Sequence, residues 1–461
     1  MINKNKSLNL TQKVEIDHTK KRGFIPSSNL ILLAFATAFF SRILDTAGVP
    51  ATINFLHFIS IPFACTITLF TNKSRNKERL STTNSIIVGL FLLLAVIIAS
   101  AFVNKAGLIN ALLDFMLLAE PFIFLVSVIY LPLSLAKFIK IKNIFLSFFW
   151  IHLLLVFIQK YVLRTDTWEW VGMEGADRIQ GVFFISGSGH VVGCSVSLTF
   201  ALYYLLQGKK SPLWLRGLIF CAAMWNIIIA DGKQVILAFM LAMILLFFIR
   251  LNNIIVALKY TFIGTILGLI FWWCLVNLST FSAFNTWIRP EIYGLDGEAT
   301  LLKTAPFRIV PTHYDSILNW FFGLGPGHSV GRLGGWMLRK YVDLLAPLGS
   351  TIHPVTKEIW GTVGRSWLGD QSSMFSPLFG WAGIWGDLGL LGLAAYFYLA
   401  FLVWKKVCVN DLMKFFMLTV FVFGCIFSQL EEPGYMLSVS CIIGIQYQES
   451  LIKKTQGDEP I

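Results

Sequence analysis

Long apolar stretches alternate with short polar turns along most of the chain, and two of them, 85–103 and 256–277, illustrate runs of roughly 17–23 residues. Wound as helices, such runs cross a hydrocarbon layer ~30 Å thick. The pattern predicts spans near 29–44, 52–71, 84–103, 108–131, 143–161, 185–206, 213–230, 234–250, 255–277, 380–403, 412–429 and 434–448. Polar residues interrupt the first two, at Arg42, Asp45 and His57. The fourth carries Asp114 and Glu120-Pro121, and carboxylates at that depth are costly enough to mark either function or an internal hydrogen bond.

One long segment, 278–379, breaks the rhythm between the ninth and tenth spans. It holds Trp287, Trp320, Trp336, Trp360 and Trp367, whereas disordered segments are poor in aromatics. Short helices are expected there, over 316–322 and 335–345, lying at the membrane interface as a lid over the bundle. The predicted fold is an all-α polytopic membrane protein of about twelve transmembrane helices with a large, partly helical extracytoplasmic loop between helices 9 and 10. Its parts are a cytoplasmic tail (1–28), helices 1–9 (29–277), the loop (278–379), helices 10–12 (380–448) and a second cytoplasmic tail (449–461).

Composition agrees: 56% of the 461 residues are apolar and 13% charged, against about 25% charged in soluble domains. A net charge of +12 would point to nucleic acid in a soluble protein. Here the excess sits in short loops at every second turn: Lys20-Lys21-Arg22, 73–79, 137–142, Lys209-Lys210, Lys405-Lys406 and Lys453-Lys454. That bias places both termini in the cytoplasm, and 162–184, 231–233, the long loop and Glu431-Glu432 outside. The N-terminus lacks the pattern of a cleaved signal. The seven cysteines show no CxxC spacing and the seven histidines no HExxH, so neither a disulfide framework nor a metal site is predicted. No G-x-S-x-G elbow or P-loop is present.

Four outer segments carry candidate chemistry. Arg178 stands in Asp177-Arg178-Ile179-Gln180-Gly181-Val182-Phe183-Phe184, ahead of Ser186-Gly187-Ser188-Gly189-His190, where it either binds phosphate bidentately or snorkels at the interface. Lys233 lies in the turn Ala230-Asp231-Gly232-Lys233-Gln234, which is either a plain Asp-Gly turn or an outer cation placed against the usual bias. The loop contains Phe322-Gly323-Leu324-Gly325-Pro326-Gly327-His328 followed by Arg332 and Arg339. Backbone at Gly325 and Gly327 can present amides to an anion, and a spacing of seven puts the two arginines on one helix face. Arg365 and Asp370 precede Gly383-Ile384-Trp385-Gly386-Asp387-Leu388-Gly389-Leu390-Leu391-Gly392. They form either a charge clamp with an acceptor-orienting base or a structural ion pair, and the glycines fit close helix packing.

In their order, these pieces resemble the O-antigen ligase and polymerase superfamily of bacterial envelope enzymes. The residues that carry the likeness are Arg178 to Phe183, Asp231 to Gln234, Phe322 to Gly327 and Gly389 to Gly392, about half the chain. The resemblance implies a GT-C type glycosyltransferase in the bacterial inner membrane, taking glycan from undecaprenyl pyrophosphate without metal or nucleotide sugar. Arg178, Lys233, Arg332, Arg339 and Arg365 would converge on the pyrophosphate as its charge develops. In ligases a His-Asn-like element closes the loop; here Asp370-Gln371-Ser372-Ser373 stands there. His328 or His353 could substitute from elsewhere in the loop, but polymerases, which rely mainly on arginines, fit better. The expected acceptor is a glycan, with lipid A core (ligase) or protein (oligosaccharyltransferase) as alternatives. A multi-pass transporter is the reading from another class, although the main loop is neither central nor cytoplasmic.

Overall fold

The computed structural model describes residues 25–169, 175–184, 188–209, 211–251, 254–278, 281, 284, 289–369 and 373–456. All regular structure among them is helical. The long helices are α1 (Ser27–Phe39), α2 (His57–Thr71), α3 (Lys77–Val103), α4 (Leu108–Tyr130), α5 (Leu135–Tyr161), α6 (Gly189–Gln207), α7 (Leu213–Ile229), α8 (Lys233–Ile249), α9 (Ile254–Asn277), α10 (Gly380–Lys406), α11 (Asp411–Ile426) and α12 (Pro433–Gln456). Each overlaps one predicted apolar stretch. Seven helical stretches are long and apolar enough to cross a membrane: Ala51–Thr71, Lys77–Val103, Leu108–Tyr130, Leu135–Tyr161, Gly189–Gln207, Leu258–Asn277 and Gly380–Lys406. The chain is that of an all-α membrane protein.

Helix ends depart from the apolar stretches because hydrogen bonding and charge pairing set them, not lipid depth. α3 begins at Lys77, where Asn76 Oδ1 accepts from Arg79 N at 3.0 Å and caps the first turn. α12 continues to Gln456 because its basic end is paired: Lys453 with Glu449 at 3.3 Å and Lys454 with Glu78 at 3.0 Å. Gln448 Nε2 donates to the carbonyls of Val128, Ile129 and Leu131 at 2.7–3.0 Å, satisfying the end of α4. α1 stops at Phe39, and Arg42 and Asp45 fall in a separate short helix, Ser41–Thr46.

α4 is the central helix, packed by α2, α3 and α12, with 83% of its apolar window buried. Its carboxylates, Asp114 and Glu120, are accordingly inside the bundle and only 3% and 1% exposed. α9 is the opposite case: 6% of its window is buried and its partner is α8, so Phe262, Leu269 and Trp272 face outward as lipid-facing side chains do.

The long loop enters the bundle as well as covering it. Its helix Leu318–Phe322 backs into a break in α10 at Gly389, whose φ of 66° and ψ of −160° are non-helical. Freed carbonyls at the break are taken by the loop: Leu324 N donates to Gly386 O at 2.8 Å and Gly325 N to Asp387 O at 3.0 Å. Ser100 Oγ of α3 donates to Phe322 O and to Asp387 O at 2.5 and 2.9 Å. A Cβ at Gly383 would lie 2.6 Å from Gly331 Cα, at Gly386 2.3 Å from Ser329 Oγ, and at Gly389 2.4 Å from Phe321 C. The glycines of α10 thus admit loop backbone, where the spacing had suggested a neighbouring helix.

A second anchor is Lys303 in the loop helix Glu298–Ile309. Its ammonium donates to Ser376 O and Ile426 O at 2.8 and 2.7 Å and sits over the rings of Phe379 and Phe427. Burial nevertheless pushes it down to about 7.

Two outcomes are expected. Gly389→Ala combines a positive φ with a backbone clash, and should destabilise the fold by roughly 1–3 kcal/mol or more, read as a lower melting temperature in detergent. The Lys303 value lies below the ordinary 10.5, so the unfolded chain binds more protons between pH 7 and 10.5. Wild-type stability should rise with pH across that window, by on the order of 1 kcal/mol per unit at most, and Lys303→Met should flatten the rise.

Candidate functional site

A cleft at the end of the bundle that carries the long loop is lined mainly by three pieces of chain. They are the segment joining α1 to α2, the loop around Arg332, and the turn joining α11 to α12. Arg332 is the central cation. Its backbone N donates to Glu431 Oε2 at 2.6 Å, and its guanidinium pairs with Glu432 and lies 5.2 Å from the Trp336 ring centroid. Nε is buried and has no hydrogen-bond partner among the described residues. Burial, with Arg42 nearby, pulls Arg332 down to about 10.

Arg42 also lines the cleft, and Lys340 lies close to it. Arg42 stands 3.7 Å from Asp45, which also accepts from Asn54 Nδ2 at 2.8 Å. Lys340 Nζ lies 5.7 Å from the ring centroids of both Trp336 and Tyr341, and its value is lowered first by burial and then by Arg42. Arg42 and Arg332 line the cleft with one carboxylate, Glu432; Asp45 pairs with Arg42, Lys340 lies close to both arginines, and Glu120 contacts His57 of the lining. Glu431 lies deeper; burial pushes it up to about 8, Asp387 adds to this, and the backbone donors at Arg332 and Leu333 oppose it. It therefore contributes less than a full negative charge at neutral pH, and it meets Arg332 at the backbone, whereas Glu432 pairs with the guanidinium.

Beside the cleft lies a smaller polar patch. His190 Nε2 is 3.6 Å from Asp177 Oδ1, and Lys233 Nζ pairs with Asp231 at 2.8 Å. Arg178, next to Asp177, donates from Nη1 to Asp166 O at 3.3 Å. Phe183, of the same segment, lines the cleft and packs on Gly434, so the two sites are neighbours.

The predicted site residues thus separate. Arg332 is in the cleft, while Arg178 and Lys233 belong to the neighbouring patch. Arg339 is half-buried and absent from the cleft lining. The stretch Leu333–Met337 is a π-helical turn, whose wider winding breaks the seven-residue register with Arg332. Arg365 is exposed beyond the loop helix Val355–Val363 and forms no ion pair among the described residues. Asp370 lies outside the described residues. His328 is 5% exposed with both ring nitrogens engaged, Nδ1 with Leu324 O at 2.8 Å and Nε2 with Thr351 Oγ1 at 2.7 Å.

Gly325 and Gly327, with φ of 109° and 69°, do shape backbone around an acidic residue, the protein's own Asp387: Gly325 N donates to its main-chain carbonyl and the Gly327 amide lies by its side chain. Its Oδ1 accepts from Ser329 N at 2.5 Å, with the amides of Gly327 and His328 close by. Sequence reasoning missed Glu432 as a cleft residue and Lys340 as a neighbour of its arginines. Arg42 and His57 carried a usable signal: they are the polar interruptions of the first two apolar stretches. Among the described residues no three His, Cys, Asp or Glu side chains converge as metal ligands would. No family model and no curated protein matches this chain.

The Glu431 shift carries a stability consequence. Its folded value exceeds the ordinary 4.5, so the folded protein binds more protons between pH 4.5 and 8 and stability falls as pH rises there. Glu431→Gln lacks this loss. Its melting temperature relative to wild type should increase from pH 5 to pH 8, and a constant difference would contradict the buried neutral carboxyl.

Proposed function

We propose that the protein is a membrane glycosyltransferase that moves glycan from undecaprenyl pyrophosphate to an acceptor at the outer face of a bacterial inner membrane, most simply polymerising surface-polysaccharide repeat units. The observation that carries this reading is the pair Arg42 and Arg332 lining one cleft, with Lys340 close to both. A diphosphate leaving group gains charge as its sugar departs, and fixed cations in a partly dry cleft stabilise that charge. Arg332, lying against the Trp336 ring, brings the planar fork that suits diphosphate oxygens.

In this reading all twelve helices cross the membrane, the shorter ones included, and the termini are cytoplasmic. The paired basic residues support the orientation: Lys142, Lys453 and Lys454 gather at the end remote from the long loop. An apolar groove of about 1160 Å³ between α6, α7, α8, α9 and α11 suits a polyprenyl tail. Ile228 and Ile236 line it, so its outer end comes within about a turn of Asp231 and Lys233.

Transfer to lipid A core or to protein would use the same donor and the same cleft. A proton-coupled transporter is a second reading, favoured by one observation: Asp114 Oδ2 is buried inside the bundle without a hydrogen-bond partner.

Deleting the gene in its host and resolving surface glycans on a gel separates these readings. Single-repeat glycan is expected for a polymerase, free long chains for a ligase, unglycosylated protein for an oligosaccharyltransferase and unchanged glycans for a transporter. Returning Arg332→Ala should restore less than about one hundredth of wild-type chain extension at normal membrane abundance, with Arg332→Lys intermediate. Wild-type extension by Arg332→Ala would sink the cationic-cleft reading.

A further inference from the structure

His57 opens α2 and lines the cationic cleft. It is 5% exposed, and its Nδ1 lies 2.6 Å from Oε1 of Glu120, which is 1% exposed in α4. The Phe58 ring, 4.2 Å away at 64°, packs against the imidazole and helps fix its plane. No hydrogen bond engages Nε2 among the described residues, and that nitrogen is not sealed from the surface. The contrast with the other buried histidines is informative. His152 uses Nε2 toward Gly193 O at 3.0 Å and accepts from Val182 N at Nδ1 at 3.2 Å, and His328 likewise spends both nitrogens. Those two brace backbone, whereas His57 is braced on one side and open on the other.

A carboxylate accepts hydrogen bonds, so it holds the proton on Nδ1 and leaves the Nε2 lone pair free. We infer that His57 is the base that activates the acceptor in the cleft, with Glu120 as its positioning residue. The inference rests on the glycosyltransferase reading and adds the residue that reading lacks. Arg42 and Arg332, on the same cleft, hold the donor diphosphate. A sugar hydroxyl of the acceptor gives its proton to His57 Nε2 as its oxygen bonds to the anomeric carbon of the donor. The bond from that carbon to the diphosphate oxygen breaks, and its electron pair leaves on the diphosphate. The proton on Nε2 then passes to water or to the departing diphosphate, which restores the base. No oxidant or metal is required for this balance.

The test uses full-length variants returned to the deletion strain, with the host's own lipid-linked glycan as donor, and reads surface-glycan chain length together with membrane abundance. His57→Ala should lower chain extension by roughly 100-fold to 10,000-fold, the usual range for losing a general base. Imidazole supplied to spheroplasts should restore part of it, which a purely structural role would not allow. His57→Gln keeps a hydrogen bond to Glu120 but accepts no proton, and should be equally inactive. Glu120→Gln should lower the turnover rate while leaving the donor concentration for half-maximal rate unchanged.

Wild-type extension by His57→Gln, or failure of imidazole to restore His57→Ala at normal abundance, would overturn the assignment. Should His57→Ala not accumulate, His57→Gln decides alone. An unaltered glycan in the deletion strain would overturn the reading and the base together. A clear deletion phenotype with an active His57→Gln removes the base only.

Discussion

The backbone of the long loop enters the bundle along Gly383, Gly386 and Gly389 of α10, and there it trades hydrogen bonds with a broken helix. A helix break inside an apolar bundle leaves carbonyls that lipid cannot satisfy. The loop satisfies them with its own amides, and Asp387 in turn accepts from Ser329 N. Only glycine permits this approach, because a Cβ at any of the three α10 positions would overlap the loop. Everything beyond the junction inherits its position, including the π-helical turn behind Arg332.

That anchoring explains why the cleft exists. Arg332 is held at its backbone by Glu431 and at its guanidinium by Glu432, and both carboxylates come from the turn between α11 and α12. The segment from α1 to α2 closes the opposite wall with Arg42 and His57. Residues from distant parts of the chain and from the loop are therefore held around one small volume. The neighbouring patch of Asp177, His190, Asp231 and Lys233 is built differently, with its charges largely answered within its own turns.

The five predicted cations do not meet in one patch: Arg332 lines the cleft, and Arg178 and Lys233 belong to a separate patch beside it. Arg339 and Arg365 are not in the cleft lining. The seven-residue spacing from Arg332 assumed α-helical winding, and the π turn changed the angle. Gly325 and Gly327 were legible as an anion-binding backbone, yet nothing in their spacing told that the group held would be an internal aspartate. His328 looked available in sequence and proved to be a brace between Leu324 and Thr351.

What the sequence by itself determined is the set of helices, the division between bundle and loop, and the gathering of basic residues away from the loop. Those features depend on local composition: apolar runs must be wound as helices in lipid, and charge avoids that medium. What only the tertiary structure decided is which charges meet. Arg42 and His57, Glu120, Arg332 and Lys340, and Glu432 come from four distant parts of the chain, and their proximity follows from helix packing and from the loop's entry at Gly389. Such long-range contacts have no periodicity to read, because they are set by which surfaces fit together and which buried polar groups can satisfy one another.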